Sequence, residues 1–316
     1  MNISAPHLAN VFQYATYRDV PESVLRNHLS DSTLDICNPQ NNISEKEFLN
    51  VFGELINKTK DEYIGLHYGC FLNIKAMGFI NQLTLNTSHI EQAVLILQNY
   101  LENSFPLITL KKIKKGGNYI LQLESTIKVE KLRKNIADAV YCFIYRELKL
   151  IVGEEMLPEL QVPDKNLNEY SKFLNCSVYQ GVEYRFIFKG QVENEEINKK
   201  REKEIELLLP KFLQMLNKKK IGYKKFSVQI RNMILNMCYP ELPTFEQVAA
   251  QFPLSSRTIQ RKLTEEGQSF RKIKDDIKKE LTTYLTKGNK MKTRDIAYFL
   301  GYSGSSAYLH AAQKWK

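Results

Sequence analysis

The chain has 316 residues, 43% of them hydrophobic, with 17 Tyr, 16 Phe and a net charge of +10. That supports about two domains with true cores and excludes a disordered chain. No apolar run nears the roughly 20 residues of a membrane-spanning helix. Residues 1–10 carry neither a basic nor an apolar signal region, and five cysteines (Cys37, Cys70, Cys142, Cys176, Cys238) are odd in number and scattered. The expectation is a cytoplasmic protein with reduced, mostly buried thiols.

In chain order, Pro21 sits in the first turn of a short helix after Val20. Ser44-Glu45-Lys46-Glu47 is a capping box, opening a helix to about Lys58 with Phe48, Val51, Phe52 and Leu55 inward. His67 and Cys70 are three apart, but no second ligand pair accompanies them, so packing is the better reading than a metal. Ser88-His89-Ile90-Glu91 reads as a second capping box, opening a helix with Ile90, Val94, Leu97 and Leu101 on one face.

Residues 106–113 and 119–124 read as two strands around the turn Lys114-Lys115-Gly116-Gly117-Asn118. A long helix follows over 131–150, and Tyr184, Phe186 and Phe188 alternate as a third strand. The mixture predicts an α+β domain over 1–217. Its aromatic residues fit a core or the lining of a ligand cavity, with core the better choice for any single one. No Ser/His/Asp set, carboxylate pair or phosphate loop stands out, so no enzymatic role and no cofactor are expected. Lys218-Lys219-Lys220 to Lys225 reads as a basic linker.

From Phe226 the pattern is helical throughout. Ile230, Met233, Ile234, Met237 and Cys238 form one face, and Pro240 and Pro243 end that helix. Thr244-Phe245-Glu246-Gln247 is a capping box, followed by Val248, Ala249 and Phe252 inward. Ser255 caps the next helix. On that helix Ile259 and Leu263 share an apolar face, while Arg257, Gln260 and Arg261 fall within roughly 100° of arc on the far side. Such a face suits the DNA major groove, where Arg reads guanine and Gln reads adenine. One short helix of this kind is also what an ordinary solvated surface looks like.

The rest of the chain changes that weighting. A long helix runs from Phe270 to Leu285 and ends at Gly288; Thr293 caps a short one, and Ser303 caps the last, with Tyr308, Ala311, Ala312 and Trp315 inward. Val248-Ala249 and Phe252 recur as Ile296-Ala297 and Leu300, each group before a turn and a helix. This is the pattern of a tandem helix-turn-helix, whose connector presents two recognition helices about one DNA turn apart, near 34 Å. The segment is also where the charge lies. Residues 226–316 hold 15 Lys+Arg against 8 Asp+Glu, whereas the other 225 residues hold 30 against 27. That favours a polyanionic partner for the C-terminal part.

Residues 244–315 resemble the DNA-binding domain of the AraC/XylS family of bacterial transcription regulators. The matching segments are residues 254–263, Glu266-Gly267-Gln268-Ser269-Phe270 and residues 295–303. The N-terminal part more loosely resembles the arabinose-binding-type sensor domain of one branch, through Val20-Pro21-Glu22, Ile64-Gly65-Leu66, Met77-Gly78-Phe79 and the helix at Ser88. The label is a family name and implies no sugar.

The resemblance implies base contacts from Ser256, Arg257, Gln260 and Arg261 on the first recognition helix. On the second it implies base contacts from Ser305, Ser306 and His310. Phosphate contacts would come from Ser255, Lys272, Arg294 and Lys314. The expected partners are double-stranded DNA and RNA polymerase, with a homodimer and a small-molecule effector in the N-terminal domain as further candidates. An activator is the working expectation with repression left open, and the absence of a long apolar run argues for no membrane partner.

Family members usually carry Arg where His310 stands and a large apolar residue where Ala312 stands. They also continue beyond the Trp, whereas this sequence ends at Lys316. The first unit is therefore expected to carry most of the specificity. The alternative expectation is an interaction module that binds DNA weakly or not at all and heterodimerises with related regulators.

Overall fold

The computed structural model describes residues 1–72, 87–152, 154–190, 192, 195–196, 211, 214–215, 225–238, 242–286 and 291–315. Residues 77–79, 218–224, Pro240 and Gly288 lie outside them. The chain divides into two compact units, one of Met1–Leu72 with Gly78–Glu202, the other of Asn73–Met77 with Lys203–Lys316. No described helix is long and apolar enough to cross a membrane.

The first unit mixes helices with sheet. Strands β1 (Asn2–Ser4) and β2 (Asn42–Ser44) pair antiparallel, with Ile3 opposite Ile43. Both read Asn-Ile-Ser, and three residues are too few for an alternation to show in the sequence. Helices α1 (Ala5–Tyr17) and α2 (Glu22–Arg26) follow β1. Pro21 is the N-cap of α2 rather than part of its first turn. Helix α3 (Glu45–Thr59) opens with the full Ser44–Glu47 capping box and buries Phe48, Val51, Phe52 and Leu55.

Helix α4 (Ile64–Phe71) lies against α6 (Glu130–Ile151) with almost no space between their backbones. A Cβ at Gly65 would stand 1.9 Å from the Asn135 carbonyl oxygen, and one at Gly69 would stand 2.6 Å from that of Ala139. On its other side α6 meets the sheet, where Tyr141 stacks on Phe186 at 4.3 Å. Covered on both sides, α6 is buried without interruption from residue 135 to 145, polar Asn135 and Asp138 included.

Helix α5 (Ile90–Ser104) precedes β3 (Ile108–Lys115) and β4 (Asn118–Ser125). The expected box at Ser88 does not form. His89 is the N-cap and its side chain does not cap the helix, and its backbone pairs with Glu196 in an isolated bridge. The Gln92 side chain instead accepts from the Ser88 backbone at 2.8 Å. The β3–β4 turn is also tighter than expected. Pairing runs to Lys115 opposite Asn118, leaving Gly116 and Gly117, both left-handed at φ 61° and 76°, as a two-residue hairpin turn. Strands β5 (Glu159–Val162), β6 (Val178–Gln180) and β7 (Arg185–Lys189), with α7 (Leu167–Leu174) between β5 and β6, complete a sheet of order β3-β4-β7-β5-β6. Among the described strand pairs of this sheet, β5–β6 is parallel and the others are antiparallel.

The named elements of the second unit are helices: α8 (Phe226–Met237), α9 (Phe245–Ala249), α10 (Ser256–Glu265), α11 (Phe270–Thr286), α12 (Thr293–Phe299) and α13 (Ser305–Gln313). Along α11, Ile273, Ile277, Leu281 and Leu285 form one buried stripe. Two expected caps move. Thr293 is the first residue of α12, whose amides bond back to the Lys292 carbonyl. Gly304, not Ser303, precedes α13, and it supplies no side-chain bond. Trp315 lies past the end of α13 and is half-buried rather than inward.

Candidate nucleic-acid interface

Helix α10 is fixed at both ends. The Ser255 hydroxyl accepts from the Thr258 backbone at 3.2 Å. At the far end Gly267 takes φ 65°, its N–H bonds to the Thr264 carbonyl, and the Gln268 N–H bonds to that of Leu263. This pair of bonds is a Schellman ending, in which the left-handed residue favours glycine. Ile259 and Leu263 are 0% and 1% exposed and hold the helix down. Ser256, Arg257, Gln260 and Arg261 all stand exposed. Arg261 approaches Glu265 at 3.6 Å, a pair so exposed that it contributes little to stability.

Beneath α10 the inward residues pack as their spacing predicts. Ala249 is 6% exposed and Val248 and Phe252 are buried beside it. The Phe226 ring of α8 meets that of Phe252 at 5.5 Å and lies under the Lys262 ammonium at 5.3 Å. Glu266, just after α10, accepts from the backbone amides of Phe226 and Ser227, tying this end of the helix to the start of α8. Partial burial raises the Glu266 carboxyl, but these bonds and the nearby Lys225 outweigh it and hold the carboxyl below its ordinary value. Glu266 drew attention in the sequence only as part of a matching segment, because its partners are 40 and 39 residues away.

The second short pair repeats the arrangement in part. Ala297 is 0% exposed between Ile296 and Leu300. Gly301 takes φ 72° and the Tyr302 N–H bonds to the Ala297 carbonyl. The first pair turns without a left-handed residue, through bonds from Gln251 to Val248 and from Phe252 to Ala249. Tyr302 stands 5.9 Å from the Tyr308 ring, with the Lys278 ammonium of α11 at 4.1 Å over it. Lys279 bonds to the Trp315 carbonyl. On α13, Ser306 and His310 are exposed and Ser305 is half-buried. The phosphate candidates Ser255, Lys272, Arg294 and Lys314 are all exposed, although the Ser255 hydroxyl is already engaged in its cap.

The first unit holds a different kind of site. A cavity of about 390 Å³ opens between β4 and the start of α6, lined among others by Gln122, Glu124, Arg133, Lys134, Glu183 and Tyr184. Beneath it Asp138, fully buried, accepts from the Tyr170 hydroxyl at 2.6 Å, the Tyr184 hydroxyl at 2.7 Å and the Lys134 ammonium at 3.1 Å. Lys134 also reaches Asp164 at 3.1 Å. Burial raises the Asp138 carboxyl against these donors; burial lowers the Lys134 ammonium, but the two aspartates outweigh it and raise it. The i,i+4 spacing of Lys134 and Asp138 was visible in the sequence, but the two tyrosines arrive from elsewhere in the fold.

Among the described residues no cluster of three His, Cys, Asp or Glu side chains is placed to hold a metal. His67 bonds to Asp61 at 2.7 Å and packs on Phe173 at 4.5 Å.

No family model matches the chain. An HTH-type transcriptional regulator of Mycobacterium tuberculosis is 32% identical over 73 residues, 23% of this chain and 21% of that protein. The ornithine utilization regulator of Pseudomonas aeruginosa is 29% identical over 75 residues, 24% and 22% of the two chains. The HTH-type transcriptional regulator VqsM of the same organism is 32% identical over 77 residues, 24% and 23% of the two. The match thus spans little more than a fifth of the length of these relatives. The crystal structure of the transcriptional regulator CdpR from Pseudomonas aeruginosa aligns at a TM-score of 0.44 and 17% identity, over 98% of this chain and 95% of that one. Two of these three relatives are named as transcriptional regulators of the helix-turn-helix type.

Proposed function

We propose that the chain is a cytoplasmic, sequence-specific DNA-binding transcription regulator of the AraC/XylS type that carries out no enzymatic step. In this reading residues 226–316 are a tandem helix-turn-helix domain, with α9–α10 and α12–α13 as its units and α11 as the connector. Helix α10 enters the major groove; Arg257 and Arg261 read guanine, Gln260 reads adenine, and Ser256 supports them. Ser305, Ser306 and His310 make a weaker second contact, and Ser255, Lys272, Arg294 and Lys314 hold phosphates.

The observation that carries the reading is α10 itself: capped at both ends, gripped through Ile259 and Leu263, with Ser256, Arg257, Gln260 and Arg261 left exposed. The names of the curated relatives support the class.

Residues 1–217 form the sensing and dimerising part, joined by a linker at 218–225. A small effector binds the cavity beside Lys134 and Tyr184 and shifts conformation or dimer contacts, changing DNA affinity or contact with RNA polymerase by linkage. The test is selection of bound fragments from genomic DNA in low salt. One enriched motif, with binding that weakens steeply as salt rises, is expected. Recovery of no fragment above background in low salt would exclude the reading.

A further inference from the structure

Cys70 on α4 and Cys142 on α6 are 72 residues apart in sequence, yet their sulfurs are 3.3 Å apart. The glycine beside Cys70 explains how. A Cβ at Gly69 would lie 2.8 Å from the Cys142 Cβ, so the two helices touch where the thiols meet. Both thiols are buried and unlinked. The half-buried Arg146 donates to the Cys70 carbonyl at 2.6 Å, placing a permanent cation beside the pair.

The two thiols are unequal. The hydrogen bond with Cys142 and the Arg146 charge outweigh burial and draw the Cys70 thiol down. Burial, and the Cys70 sulfur it faces, push the Cys142 thiol up. Opposite shifts on facing sulfurs match the division of labour of an attacking thiol, Cys70, and a resolving one, Cys142.

We propose that Cys70 and Cys142 are an oxidisable dithiol that a hydroperoxide converts into one intramolecular disulfide, fastening α4 to α6. In the first step the Cys70 thiolate attacks a peroxide oxygen. The S–O bond forms, the O–O bond breaks, and the departing hydroxide or alkoxide takes a proton, leaving Cys70 as a sulfenic acid. In the second step the Cys142 sulfur attacks the Cys70 sulfur. The S–S bond forms, the S–O bond breaks, and hydroxide leaves with the Cys142 proton as water. The two sulfurs lose two electrons and the peroxide gains them. The sulfurs stand at 3.3 Å, so closure to bonding distance needs them to approach by about 1.2 Å.

The test treats the full-length protein with hydrogen peroxide, alkylates the remaining thiols after unfolding, and maps peptides by mass spectrometry. A Cys70–Cys142 cross-link that forms independently of protein concentration and reverses with dithiothreitol is expected. In Cys142→Ser, Cys70 should accumulate as a sulfenic acid trapped by dimedone; in Cys70→Ser, Cys142 should stay alkylatable. Full alkylation of both residues at a peroxide dose that oxidises the exposed Cys37 would overturn the proposal. So would separate oxidation of each without a cross-link. The wild-type map decides even if a serine variant fails to fold.

Discussion

The Glu266 carboxylate accepts from the Phe226 backbone N–H at 2.7 Å. With a second bond from Ser227 at 2.9 Å, it satisfies two of the amides that every helix start leaves without partners. It also sets the end of α10 against the start of α8. Glu266→Ala is expected to destabilise the second unit by about 1–2 kcal/mol, with Glu266→Gln recovering part of the loss. Because the folded carboxyl lies below its ordinary value, its stabilisation is complete above the unfolded pKa and fades as pH falls through the folded one. Urea unfolding at neutral and acid pH reads both effects. An alanine variant with an unchanged midpoint would mean the clamp is idle.

Glu47 carries the same logic in the first unit. Partial burial raises its carboxyl, but four hydrogen bonds from Ser30 and Ser44 hold it at about 2. The unfolded value is 4.5, so this contribution is present above that pH and is lost between there and about 2. Glu47→Gln should be less stable than the wild type at pH 7 by about 1 kcal/mol, with the difference closing in acid. A difference that stays constant from pH 7 to pH 3 would show that Glu47 does not titrate as described.

Gly65 marks the tightest point of the α4–α6 contact, where its own N–H bonds to the Asn135 side chain at 3.0 Å. Since a Cβ there would stand 1.9 Å from a backbone oxygen, relief requires a helix to move. Gly65→Ala is expected to cost roughly 3 kcal/mol or more, against a few tenths for alanine at an open, exposed site. Thermal unfolding of the variant measures it, and a shift of less than about 1 °C would place the helices further apart than found.

What could be read from the sequence followed interaction range. The Ser44 and Thr244 capping boxes and the apolar stripe of α11 are local, and they fold as their spacing predicts. At Ser88 the Glu91 carboxylate that would close the box instead accepts from Lys112 and Tyr119, and His89 bridges to Glu196, more than a hundred residues on. Strands β1, β2, β5 and β6 span three or four residues each, too short for alternation to rise above chance. On the candidate surface, the exposed positions of α10 followed from its helical period. The Glu266 clamp, the Asp138 network and the cavity above it depend on partners brought together by the fold, and no local pattern announces them.

The direct test of the central claim is binding to a selected DNA site after alanine substitution on each recognition helix. Gln260→Ala and Arg261→Ala should each weaken binding roughly 5- to 150-fold at that site and relax base preference at one position, with binding to unrelated DNA little changed. Ser306→Ala and His310→Ala should have smaller effects. Binding that survives both α10 substitutions but is lost on changing Ser306 and His310 would contradict the assignment of α10 as the principal reader.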